Sequence, residues 1–142
     1  MSEENPHVAE AAGAAMQIGQ VAARTELSLR SLRHWDEVGL LRPSGRSDGG
    51  FRLYTESDVQ KILLIRRMKP LGFTLEQMAT ALRDIESLRG ERGADRDAAT
   101  NRVRRVLEEA RERRKRLLDQ LAMADEFIDV LGQELSARAP HA

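Results

Sequence analysis

Apolar residues along this chain repeat with the period of a helix, pause, and then resume with a longer and more regular beat. From Ile18 the pattern is helical. Ile18, Val21 and Ala22 stand at i, i+3 and i+4, so QIGQVAAR is predicted to form a first short helix. Thr25-Glu26-Leu27 makes a brief connection, and Ser28 is a natural N-cap whose hydroxyl can accept from an unpaired amide of the next turn. The run it opens, Leu29, Leu32, Trp35 and Val38, lays an apolar stripe along a second helix. Gly39 can end that helix by taking the left-handed conformation that other residues avoid. Two short helices so tightly joined form a helix-turn-helix unit.

The beat then changes. In LLRPSGRSDGGFRLY the turn formers Gly45, Asp48, Gly49 and Gly50 sit between two short strand-like flanks, Leu41–Arg42 and Phe51–Tyr54, which predicts a small hairpin, or wing. Thr55 followed three residues later by Asp58 resembles a capping box. It opens a helix through Val59, Ile62, Leu63, Ile65 and Met68 that Pro70 cannot continue. Thr74 and Gln77 form a better capping box, ahead of Leu75, Met78, Leu82 and Ile85, and Gly90 and Gly93 among charges mark a linker.

From about Thr100, Val103, Leu107, Ala110, Arg114, Leu117, Leu121, Ala124, Ile128, Leu131 and Leu135 follow alternating steps of four and three. Such a heptad seam cannot be buried by one isolated helix, so it predicts a homodimer. An antiparallel pair centred near Leu117 sets Ala110 against Ala124 and Arg114 against Gln120, whereas a parallel pair stacks Arg114 on Arg114. Arg114 either fixes this register or snorkels out of the seam. Met123, Phe127 and Val130 form a second stripe, expected against the partner's DNA-binding domain.

Composition narrows the function without deciding it. The 142 residues are 32% charged, only 4% aromatic and formally neutral. The segment 16–70 carries ten basic residues against six acidic ones, which is compatible with a polyanionic partner. With no cysteine there are no disulfides or thiolate metal sites. His7, His34 and His141 lack metal-ligand spacing, and Gly49-Gly50 lacks the strand and helix of a phosphate loop. No enzymatic activity and no cofactor are expected. Neither a signal peptide nor a run of bilayer-spanning length is present, so a cytoplasmic location and no membrane partner are expected.

QIGQVAART, LSLRSLRHWDEVGLL, a wing ending GGFRLYT, and DVQKILLIRRMKPLGFTLEQM occur here in a fixed order from about Gln17 to Ile85. In that order the chain resembles the MerR family of bacterial transcription regulators, and the long seam helix agrees with that family's dimerisation helix. The resemblance implies dimers held by an antiparallel coiled coil on a palindromic operator within a promoter. It also implies that the effector-bound protein bends and undertwists that DNA so that RNA polymerase engages both promoter elements, a form of indirect readout.

Position by position, the resemblance implies DNA contacts from Arg30 and Arg33 on the second helix and from Arg46 and Arg52 on the wing. Tyr54 closes the wing, and Arg66 or Arg67 is the basic residue of the third helix. His34 and Trp35 stand where an aromatic pair usually sits, Trp35 mainly in the core with an edge toward phosphate. Glu26 stands where the family often has Gly, and Pro70 also departs from the common pattern. The cysteines of thiol-using sensors are absent, and GQELSARAPHA after Leu131 is too short for a further domain, so no effector is assigned.

The expected fold is therefore all-α with a small β wing. A disordered extension (1–15) precedes a winged helix-turn-helix (16–88), a linker (89–99), a coiled-coil helix (100–135) and a flexible tail (136–142). Val103, Leu107, Ala110, Leu117, Leu121, Ala124, Ile128 and Leu131 are the expected dimer contacts, and double-stranded promoter DNA is the expected partner. The rival reading is an interaction protein whose coiled coil recruits a partner while the winged module serves as a scaffold. An excisionase-like architectural factor would share the wing but has no need of the seam.

Overall fold

The computed structural model describes residues 15–90 and 93–139. The expected N-terminal extension lies almost wholly outside the described residues. The elements are β1 (Met16–Gln17), α1 (Ile18–Thr25), α2 (Leu29–Glu37), β2 (Gly45–Arg46), β3 (Arg52–Tyr54), α3 (Glu56–Met68), a 3-10 turn (Lys69–Leu71), α4 (Leu75–Arg89) and α5 (Gly93–Arg138). The expected fold class holds: helices with a small antiparallel sheet and a long C-terminal helix.

Local chemistry places the helix ends. Ser28 Oγ accepts from the Ser31 amide at the start of α2. Thr55 with Asp58, and Thr74 with Gln77, close full capping boxes at α3 and α4, satisfying amides that have no intrahelical partner. Gly39 follows α2 with φ +74, as its position requires. The α1–α2 turn asks for the same left-handed geometry without a glycine: Glu26 sits at φ 57 and ψ 33, and its amide donates to the Ala22 carbonyl. An L-residue pays roughly 1–2 kcal/mol for that conformation. Glu26→Gly is therefore expected to raise stability by about 1 kcal/mol and the thermal midpoint by ~3 °C, readable by calorimetry. A midpoint below wild type would count against strain at this turn.

The structure differs from the sequence reading in four places. The sheet has three strands in the order β1-β3-β2, because Met16 and Gln17 pair with Tyr54 and Leu53. The first wing strand is Gly45–Arg46 rather than Leu41–Arg42, since Leu40 and Leu41 turn into the core. The interval 89–99 is not all linker: α4 runs to Arg89 and α5 starts at Gly93, where Ala99 is fully buried and anchors the first turns. The expected tail is also helical as far as Arg138.

One core, built from Val21, Leu32, Trp35, Tyr54, Val59, Ile62 and Ile65 with Met78 and Leu82 of α4, holds the winged unit together. Each such side chain contributes about 1.5–3 kcal/mol by leaving water. Beyond Ala99, two polar contacts root helix α5 among the described residues. The buried Asp84 accepts from Arg102 Nε at 2.9 Å and Nη2 at 2.8 Å. Three turns on, Arg113 donates to the Leu71 carbonyl at 3.1 Å and lies 4.3 Å over the Phe73 ring. Beyond Arg113 every described residue of α5 is exposed.

Candidate nucleic-acid interface

Helix α2 is amphipathic in a way that fixes its outer face. Leu32 and Trp35 point into the core, so Arg30, Arg33 and His34 stand exposed on the other side. Together with Ser31, Glu37 and Lys69 they rim an open concavity of about 730 Å³ whose floor is Trp35. The Lys69 ammonium lies 5.9 Å from the indole centroid. The sequence pattern does not point to Lys69. It arrives through the turn at Pro70, a long-range placement that helix periodicity does not encode.

The wing is held by two carboxylates. Asp58 is 4% exposed, and its Oδ2 accepts from the Ser44 amide at 3.1 Å, the Ser44 hydroxyl at 2.6 Å and the Thr55 amide at 3.0 Å. It ties the start of the wing to the start of α3. At the tip, the Gly50 amide donates to the Ser47 carbonyl and the Ser47 amide to the Phe51 carbonyl, with Gly50 at φ +80 and Phe51 exposed.

The second carboxylate is Asp36, in the last turn of α2. Its Oδ2 accepts from Arg52 Nε at 2.7 Å and from Arg46 Nη2 at 3.2 Å. Hydrogen bonding to Asp36 raises the Arg52 pKa above its ordinary value. Arg46 also donates to the Gly50 carbonyl at 3.3 Å. The wing arginines and the exposed face of α2 are thereby locked into one basic surface.

Other expected contact residues have different places. Trp35, 2% exposed, is a core residue and not an outward-facing contact, because the apolar stripe of α2 outweighs its polar edge. Tyr54 is 1% exposed, with a buried hydroxyl that lacks a hydrogen-bond partner among the described residues, and burial raises its pKa. It closes the core beneath the wing rather than reaching outward. Arg66 donates from Nη1 to the Thr25 carbonyl at 2.6 Å, bracing the α1–α2 turn from α3. Arg67 is exposed. Arg24 and Glu56 pair at 2.9 Å on the surface, and Arg24 with Gln60 holds the Glu56 carboxyl down at about 2.

On α5, Leu107, Leu117, Leu121, Ile128 and Leu131 are exposed, as are Met123, Phe127 and Val130 of the second stripe. Val103 and Ala110 are half-buried within the chain itself. An apolar face this long marks a protein contact. Among the described residues no helix is long and apolar enough to cross a membrane.

Residues 16–85 match the family model described as MerR HTH family regulatory protein. PA4778 of Pseudomonas aeruginosa, an uncharacterized HTH-type transcriptional regulator, is 39% identical over 67 residues, 47% of this chain and 51% of that protein. The HTH-type transcriptional regulator ZntR of Escherichia coli is 37% identical over 73 residues, 51% of this chain and 49% of that protein. The chain spans about a quarter to a half of the length of the curated relatives it matches. The crystal structure of HiNmlR, a MerR family regulator lacking the sensor domain and bound to promoter DNA, shares the fold with a TM-score of 0.60 at 24% identity. That likeness covers 86% of this chain and 88% of that one.

Proposed function

The chain belongs to the MerR family through residues 16–85, and from that premise we propose that it is a homodimeric transcription regulator of a near-palindromic promoter operator. The observation that carries this reading is the composite basic face, in which Arg30, Arg33 and His34 of α2 lie beside a wing whose Arg46 and Arg52 are fastened to the same helix. In this reading α2 enters the major groove and its arginines reach base edges, while the wing, Arg67 and Lys69 fix position through phosphates.

Helix α5 supplies the second copy. Its exposed seam pairs with another α5 in antiparallel sense and sets the two winged units at opposite ends of a rod. Each unit then meets its own half-site on one face of the duplex. Control of transcription follows from distortion, because a dimer of fixed span favours the bent and undertwisted duplex that fits it. RNA polymerase is the partner at such a promoter, and the protein acts in the cytoplasm without catalysing a reaction.

Gel retardation and footprinting on the DNA upstream of the chain's own gene, with sedimentation equilibrium of the free protein, provide the test. A two-fold symmetric protected site and twice the chain mass at micromolar concentration are expected. A monomer, or no retardation by micromolar protein in ~0.1 M salt, where specific complexes bind far more tightly, would remove the reading.

A further inference from the structure

Arg46 and Arg52 are directly opposed across the β2–β3 ladder. Like charges facing each other on adjacent strands repel and destabilise the hairpin. Here the repulsion is relieved by a single acceptor: Asp36 Oδ2 takes Arg52 Nε at 2.7 Å and Arg46 Nη2 at 3.2 Å. The Asp36 side chain is only 10% exposed, against 23% for Arg52 and 50% for Arg46. The carboxylate therefore lies beneath the two guanidiniums, and their outer edges face solvent.

Two positive charges over one negative charge leave the cluster net positive. Each arginine still has N–H groups pointing away from Asp36, since a guanidinium carries five donors and the carboxylate uses few of them. The neighbouring titratable groups that act on Arg52 are Glu37, next to Asp36 on α2, and Tyr54, two residues along β3.

We propose that Asp36 is the positioning residue that gives the proposed DNA interface its sequence selectivity, by holding both wing arginines in one geometry relative to the recognition helix. The inference rests on the regulator reading and deepens it. A freed arginine is a long, flexible cation that can grip any phosphate. A clamped one makes its contact only when the duplex backbone lies where the recognition helix has placed it. The clamp withholds charge from random DNA and spares the operator complex the cost of ordering two side chains per protomer.

Binding of the footprinted operator and of a scrambled duplex of equal length, read by fluorescence anisotropy, compares the wild-type protein with Asp36→Asn and Asp36→Glu. For Asp36→Asn the scrambled duplex is expected to bind more tightly while the operator does not, so the selectivity ratio falls about tenfold. Asp36→Glu is expected to recover part of that ratio. If operator and scrambled affinities rise together, or the ratio is unchanged, Asp36 is a repelling charge or a bystander and the proposal fails. Should Asp36→Asn not fold, the Arg52 Nε–H resonance of the free wild-type protein decides. A proton protected from exchange relative to that of Arg33 supports the clamp, and equal exchange overturns it. Wild-type protein that does not distinguish the two duplexes would instead overturn the regulator reading itself.

Discussion

Leu117→Cys, introduced into this cysteine-free chain, is expected to form a disulfide-linked homodimer almost quantitatively on mild oxidation, while Val103→Cys gives little. Leu117 is exposed on the free stretch of α5 and lies at the proposed two-fold centre of an antiparallel rod. Two cysteines there approach within the roughly 6 Å between Cα atoms that a disulfide requires. In the same rod the two copies of residue 103 are twenty-eight positions apart along the pairing register, about 40 Å at 1.5 Å per residue. Val103 is also half-buried in its own chain, so it is less available to any partner. Non-reducing electrophoresis reads the result. Equal crosslinking at both positions would establish a parallel coil, and with it a different placement of the winged units.

Arg33→Ala is expected to weaken operator binding at least about 30-fold and leave the dimer intact. Arg33 is exposed on the outer face of α2, opposite Leu32 and Trp35, so truncation leaves the core untouched. A bidentate arginine–guanine contact discriminates by about 1–3 kcal/mol, and a symmetric dimer loses two of them. Selectivity should relax at one base pair in each half-site, with sedimentation and helical content unchanged. Wild-type affinity in this variant would mean that another face of α2 meets the DNA.

The parts of this fold written in adjacent residues are legible in the sequence alone. Ser28, Thr55 and Thr74 cap helices because the partner of each cap lies three residues away, and Gly39 ends α2 for an equally local reason. Strand β1 is not legible in that way: two residues carry no period, and Met16 becomes a strand only because Tyr54, thirty-eight positions on, offers it a ladder. Trp35 and Tyr54 are decided by their apolar surfaces. Both carry polar atoms that suit a DNA contact, but their large apolar surfaces are better buried, and the core claims them. In the candidate site, helix phase accounts for the exposure of Arg30 and Arg33, while their assignment to DNA comes from the family resemblance. The links from Asp36 to the wing, from Arg66 to the Thr25 carbonyl and from Lys69 to Trp35 join distant segments, so no local pattern announces them.

The attachments of α5 all lie in its first half, from Ala99 to Arg113, which makes the rest a lever. Arg102 on Asp84 and Arg113 on Leu71 and Phe73 are supports eleven residues apart, about 16 Å along the axis, while Leu135 lies thirty-three residues from the first support, about 50 Å. The arm ratio is near three, so a 1 Å sideways shift at Arg113 with Arg102 fixed swings Leu135 through about 3 Å. In the proposed antiparallel pair, a displacement at one root is carried along the joined arms toward the other. In that proposed dimer, a change too small to rearrange the winged core would alter the distance between the two winged units by a substantial part of a base-pair step.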